Sequence, residues 1–276
     1  MSASQRPTLN KDTRLCISLA SRPSNIGTRF HNYLYDQLGL DFIYKAFTTT
    51  DIEAAIGGVR ALGIRGCSVS MPFKEDVIAL VDTMEPSASA INSVNTIVND
   101  DGHLRASNTD YLAVVRLIAE HQLDPSSTVI IKGSGGMASA VGAAFRDKGF
   151  GSGTVVARNG PAGRRLADRL GYGYADETPA GGADVVVNVT PIGMADGPES
   201  TELSFGEAVI AKARTVFDVV ALPSETPLIV AARAAGVPVI TGAEVIALQA
   251  AEQFERYTGV RPTAEQVAEA SAFSRA

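Results

Sequence analysis

The spacing of apolar positions changes along the chain, and each change marks an element. "RLCISLA" (14–20), "DFIYKAF" (41–47) and "RGCSVS" (65–70) are short apolar runs that read as strands. Between them, 29–39 and "IEAAIGGVRALG" place apolar residues at helical spacing, with Asp51 as an N-cap for the second. Pro72 reads as a first-turn proline opening an amphipathic helix through "FKEDVIALVD". "SVNTIVN" and "HLRASN" flank Asp101-Gly102, which supplies hairpin turn chemistry. Thr109 or Asp110 then starts the helix "YLAVVRLIAEH".

From Thr128 the pattern becomes regular. "TVIIKG", "GTVVAR", "DVVVNVT", "TVFDVV" and "PVITG" are β-branched runs separated by helical or loop segments. Continuously apolar strands of this kind are buried on both faces, as in a parallel sheet. The tail, 243–257 and 263–275, reads as two helices around Gly259 and Pro262. The expected fold class is α/β with two domains: 1–109 completed by 243–276, and 110–242.

Composition narrows the function classes. The 276 residues are 45% hydrophobic and 20% charged, and the net charge of −6 comes with no long basic run. That balance argues against a nucleic acid or a membrane surface as partner. No stretch approaches the ~18 apolar residues of a spanning helix. The polar N-terminus lacks a signal-peptide core, and Cys16 and Cys67 sit in apolar contexts, so reduced thiols in a cytoplasmic protein are expected. His31, His103 and His121 are scattered, and no metal site is expected.

"TVIIKGSGGMASAVGAAF" is a strand, a glycine-rich turn and an Ala-rich helix. Gly133, Ser134, Gly135, Gly136 and Met137 form a turn whose backbone can approach a pyrophosphate at the helix N-terminus. Ala138 replaces the last glycine of G-x-G-x-x-G and is small enough for close helix–strand packing. At the end of the next strand an NAD site usually has an acid, roughly 20 residues after the glycines. Here Arg158 stands there, with Arg164 and Arg165 behind it. A guanidinium suits a 2′-phosphate, so NADP is favoured over NAD; the alternative is an ordinary exposed arginine.

Lys74 follows Pro72 in what reads as a helix's first turn, where the backbone partial charge is positive and a cation is misplaced. "SMPFKE" (70–75), "SVNT" (93–96), "SNTD" (107–110), "GSGGMA" (133–138), "NVTPIGM" (188–194), "FDVVALPSETPL" (217–228) and "ALQAAEQFE" (247–255) together resemble the shikimate dehydrogenase family over almost the full chain. The resemblance implies an N-terminal α/β substrate domain, an NADP-binding Rossmann domain, C-terminal helices returning to the first domain, and an active site in the cleft between the domains. It implies Lys74 and Asp110 as the catalytic pair. Oxidising a secondary alcohol needs a base at the hydroxyl, and a partly desolvated lysine oriented by a carboxylate can serve. It also implies Ser70, Asn95 and Gln249 as substrate contacts. Asn188, Thr190, Val219 and Gly242 fall on the cofactor side. The residue-level alternatives are a surface lysine for Lys74, a turn residue for Asn95, an exposed helix position for Gln249 and a turn cap for Thr190.

Departures from the family pattern bear on the substrate. Typical members have Ser-x-Ser-Pro before the histidine–asparagine matching His31-Asn32, and the serines hold the substrate carboxylate. Here Asn25 and Gly27 take those places, in "SNIGTRFHN". Losing a donor to a buried carboxylate typically costs about 1–3 kcal/mol, or about one to two decades in affinity. Ser24 or Thr28 offers a substitute hydroxyl. Ala221 replaces a usual tyrosine, and Tyr111 replaces a usual glycine and can partly refill that space. These changes fit the shikimate dehydrogenase-like branch, with weak shikimate turnover and a related hydroxylated cyclic acid as partner. Two other readings stand beside this one: a quinate or aminoshikimate-type dehydrogenase, and a non-catalytic sensor of NADP or a metabolite. A free strand edge in the first domain allows a homodimer.

Overall fold

The computed structural model describes residues 6–275. Two units divide the chain, one running to Thr109 and resuming at Ala247, the other spanning Asp110–Ile246.

The first unit opens with β1 (Arg14–Ala20), α1 (Ile26–Gln37), β2 (Phe42–Thr48), α2 (Ile52–Ala61) and β3 (Gly66–Val69). Then come β4 (Thr83–Met84), α3 (Pro86–Ser89), β5 (Thr96–Asp100) and β6 (His103–Ser107). They form a six-stranded mixed sheet in the order β2-β1-β3-β5-β6-β4. Asp51 caps α2 by accepting the Ala54 N–H at 2.9 Å. Asp101 and Gly102 turn the β5–β6 hairpin with φ of 52° and 93°, the positive values that a tight hairpin turn requires. Pleating sends Ile17 and Leu19 of β1 to one face, where they pack with Ile56, Val59, Phe73 and Val77.

The segment after Pro72 is not the α-helix its pattern suggests. The Met71-Pro72 bond is cis, and only Asp76–Leu80 winds, as a 3₁₀ turn. The reason lies in the hydrogen bonds. The Lys74 carbonyl accepts the Val94 N–H at 2.8 Å, so it is drawn toward the strand region, and the Ile78 N–H closes on Glu75 instead at 3.1 Å. Lys74 therefore sits in a turn that leads into the 3₁₀ segment, and the helix-dipole argument for its position fails.

The second unit continues with α4 (Thr109–Glu120), β7 (Val129–Lys132), α5 (Gly136–Asp147), β8 (Gly153–Val156), α6 (Gly160–Leu170) and β9 (Gly173–Ala175). It ends with β10 (Val185–Asn188), α7 (Glu207–Ile210), β11 (Thr215–Asp218), α8 (Pro227–Ala234) and β12 (Val239–Ile240). Its sheet is parallel throughout, in the order β12-β11-β10-β7-β8-β9. This is the doubly wound arrangement whose chain reversal at β7 leaves a crevice at the strands' carboxyl ends.

The last helices are α9 (Gly242–Thr258) and α10 (Ala264–Arg275). Phe254 and Tyr257 of α9 and Ala270 of α10 join Phe30, Leu34 and Tyr35 on the sheet face carrying Cys16 and Tyr44. The Tyr257 ring lies so close to the β3 backbone that a Cβ on Gly66 would approach it to 2.3 Å. The C-terminal return begins at 247, not at the expected 243. The start of α9 is held in the second unit, where any Cβ on Gly242 would meet the Val220 backbone at 2.4 Å.

Candidate cofactor and substrate sites

In the second unit, β7 ends at Lys132 and the chain turns through Gly133 into α5. Gly133 has φ +131°, and a Cβ there would press on Val189 Cγ2 at 2.7 Å and on the Val189 carbonyl oxygen at 2.9 Å. Only glycine fits that turn. Gly135 and Gly136 instead face open space, so a ligand can reach the backbone at the N-terminus of α5. Met137 is half-buried, while Ala138 is fully buried. A cleft of about 590 Å³ lies over this turn, lined among others by Gly133, Ser134, Gly135, Arg158 and Thr190. An open helix N-terminus under a glycine turn, with a guanidinium on the same cleft, fits the pyrophosphate and 2′-phosphate of NADP.

Arg158 does not stand alone. Its Nη1 and Nη2 donate to the two carboxylate oxygens of Glu199 at 3.0 and 3.1 Å. Lys132 lies on the same cleft, donates to the Ser204 carbonyl, and has its Nζ 5.4 Å from the Phe205 ring centre. Burial lowers the Lys132 pKa, Arg158 lowers it further, and Glu199 opposes them. Neither Glu199 nor Lys132 stands out in the sequence as a site residue. A lysine ending an apolar strand was the only visible signal; Glu199 lies in a polar loop with no pattern. Arg164 stacks on Tyr174 at 4.3 Å.

Asn188, Val219 and Gly242 are absent from the cleft's lining. The Asn188 side chain is buried and donates to Asp218 Oδ1 at 3.0 Å and to the Ile192 carbonyl at 3.2 Å. It accepts from Thr190 Oγ1 at 2.6 Å, and Thr190 Oγ1 accepts the Ile192 N–H at 3.3 Å. Thr190 thus caps the turn while still lining the cleft. Asp218 also accepts from Thr226 Oγ1 at 2.7 Å and the Val220 N–H at 3.0 Å. Burial raises its pKa, and these donors partly offset the rise. The Val219 N–H donates to the Asn188 carbonyl at 3.0 Å. The Tyr111 hydroxyl donates to Asp147 at 2.9 Å, and burial with that carboxylate lifts its pKa to about 12.

In the first unit Asn95 is fully buried. Its Oδ1 accepts the Thr109 N–H at 2.8 Å, Thr109 Oγ1 at 3.1 Å and Thr96 Oγ1 at 2.8 Å. Its Nδ2 has no partner among the described residues. Two idle donors on a buried amide need an acceptor that the described residues do not supply. The neighbouring Val94 N–H holds the Lys74 carbonyl, and Thr109 directly precedes Asp110. One short strand start therefore holds both the Lys74 carbonyl and the Thr109 N–H. Ser70 is exposed and its N–H donates to the Leu19 carbonyl at 2.9 Å. Asn25 is exposed at the N-cap of α1, with no side-chain capping bond, and Gln249 is half-buried.

Comparison with known proteins gives the same pattern a context. Residues 25–97 match the shikimate dehydrogenase substrate binding domain family. A shikimate dehydrogenase-like protein of Haemophilus influenzae is 59% identical over 267 residues, covering 97% of this chain and 98% of that one. This chain belongs to the shikimate dehydrogenase family. The solved structure of a shikimate 5-dehydrogenase-like protein superposes with a TM-score of 0.96 at 58% identity, covering 98% of this chain and all of that one (100%). A Thermus thermophilus shikimate 5-dehydrogenase in complex with NADP(H) and shikimate superposes with a TM-score of 0.83 at 27% identity, covering 95% and 99%. The match to the shikimate dehydrogenase substrate binding domain takes in Lys74 and Asn95; Asp110 and the glycine turn lie beyond it. Among the described residues, no helix is long and apolar enough to cross a membrane, and no cluster of His, Cys, Asp and Glu is arranged to hold a metal ion.

Proposed function

We propose that the protein is an NADP-dependent dehydrogenase that interconverts shikimate, or a closely related hydroxylated cyclic carboxylate, and its 3-dehydro ketone. The observation that carries this reading is Asn95: among the described residues its buried Nδ2 donors have no partner, its Oδ1 holds the Thr109 N–H, and the adjacent Val94 N–H holds the Lys74 carbonyl. A binding protein would need only the amide; a lysine for proton transfer is what an enzyme adds.

In this reading Asn95 and Gln249 hold ring hydroxyls, and Ser70 and Asn25 face the remaining polar groups. Lys74, as the amine, takes the proton of the hydroxyl to be oxidised, and in the reverse direction the ammonium returns it. By its match to the family motif, Asp110 is the carboxylate of the pair, whose role is to favour the charged form of the lysine. NADP⁺, when bound, supplies the hydride acceptor. The Gly133–Gly136 turn and the start of α5 receive its pyrophosphate, and Arg158 its 2′-phosphate. Loss of the serine pair at Asn25 and Gly27 makes shikimate a weak substrate. Two buried free thiols, Cys16 and Cys67, fit a reducing cytoplasm.

The test is NADPH formation at 340 nm from NADP⁺ and saturating shikimate, run beside Lys74→Ala. Slow turnover by the wild type and a loss of roughly 10²–10⁴-fold in the variant is the expected result. Equal turnover in both removes Lys74 from the chemistry. If neither turns over, quinate and amino-substituted analogues follow, and silence across them leaves a binding protein.

A further inference from the structure

The cleft of the second unit holds an anion of its own. Glu199 grips the Arg158 guanidinium with both carboxylate oxygens, and its charge also acts on Lys132. The two partners differ in exposure. The Arg158 side chain is 74% exposed and that of Glu199 only 24%, so the carboxylate is the fixed member and the guanidinium reaches over to it. The Glu199 backbone is anchored as well, since its carbonyl accepts the N–H groups of Gly193 at 2.9 Å and Glu202 at 3.2 Å. Asp176, Glu177 and Glu202 line the same cleft, so four carboxylates face two cations there.

We infer that Glu199 occupies the place of the cofactor's 2′-phosphate and sets the discrimination between 2′-phosphorylated and 2′-hydroxyl dinucleotides. The inference rests on the NADP reading above. A phosphate and a carboxylate both bind a guanidinium fork side-on through two oxygens, so the two compete for the same donors. A 2′-phosphate gains Arg158 only when the guanidinium lets go of Glu199, and the carboxylate left unpaired then adds to the acidic lining. A cofactor without that phosphate leaves the pair intact. Glu199 therefore weakens NADP more than NAD, and the preference that Arg158 alone would confer is held down.

The experiment is calorimetric titration of the whole protein with 2′,5′-ADP and with 5′-ADP, comparing wild type with Glu199→Gln, and each with Arg158→Ala added. The expected result is a gain of about tenfold in 2′,5′-ADP affinity in Glu199→Gln, with 5′-ADP unchanged and the gain absent when Arg158 is replaced. Wild type preferring 2′,5′-ADP, with the same ratio in Glu199→Gln, overturns the role of Glu199 while leaving the NADP reading standing. Weaker 5′-ADP binding in Glu199→Gln identifies the carboxylate as a ribose acceptor and also overturns it. If neither protein prefers 2′,5′-ADP, the inference and the NADP reading fall together. Unchanged circular dichroism and melting temperature in Glu199→Gln show that the comparison is between folded proteins.

Discussion

The Asn95 carboxamide oxygen accepts the Thr109 backbone N–H at 2.8 Å, which ties Thr109 to the start of β5. A residue expected to touch substrate is thus also a structural clamp. Asn95→Ala removes three accepted bonds in a buried place and lowers stability by about 2–4 kcal/mol, read from the urea midpoint. Gln249, whose side chain makes no hydrogen bond among the described residues, behaves differently. Gln249→Ala leaves the midpoint within about 0.5 kcal/mol and raises KM for the cyclic acid.

The glycine turn separates shape from function in the same way. Gly133→Ala forces a Cβ onto Val189 at a positive φ and destabilises the protein by about 1–3 kcal/mol. Gly135 has φ −84° and open space around it, so Gly135→Ala keeps the melting temperature. Its methyl group stands where a pyrophosphate approaches, and binding of 5′-ADP weakens about tenfold or more.

Restoring the serine pair tests the altered α1 entrance. A Cβ on Gly27 would meet the Tyr44 hydroxyl at 3.5 Å, an ordinary contact, so a serine is accommodated. Asn25→Ser with Gly27→Ser lowers KM for shikimate by about 10- to 100-fold while kcat changes little. An unchanged KM would show that the carboxylate is held elsewhere.

His31 gives the fold an acid-sensitive point. The imidazole stacks on Tyr44 at 4.4 Å, is enclosed by Phe30, Tyr35, Phe254 and Tyr257, and is fully buried. Burial holds its pKa down to about 3, with the Gln253 amide only partly offsetting the effect. In the unfolded chain the value is about 6.5, so protonation favours unfolding. Stability is full above pH 6.5 and falls as pH drops toward 3, by about 2 kcal/mol between pH 6.5 and 5. Urea midpoints across that window show the slope in wild type, and His31→Phe flattens it.

The parallel sheet was legible because strands such as Val185–Asn188 run through consecutive apolar residues to a single terminal asparagine, a pattern that two-sided burial explains. β9 was not read, since "GYA" has neither the length nor the branching of a strand. Two-residue β4 leaves no period to detect. The 72–81 segment misled for a different reason: its apolar spacing is helical, but a tertiary bond from Val94 takes the carbonyl that an α-helix needs. Lys74, Asp110 and Asn95 are proposed from combined motifs. The Arg158–Glu199 pair spans 41 positions, and nothing local in either segment announces the other.

The first unit is finished by the last residues of the chain. Phe254 and Tyr257 seal the face that holds His31, Cys16 and Tyr44, and they are made after the whole second unit. During synthesis on the ribosome, the second unit can close while the first still shows an open aromatic face. A stop codon near 246 would therefore leave an intact cofactor fold beside a sticky, incomplete one, a species that chaperones would be expected to hold or proteases to clear.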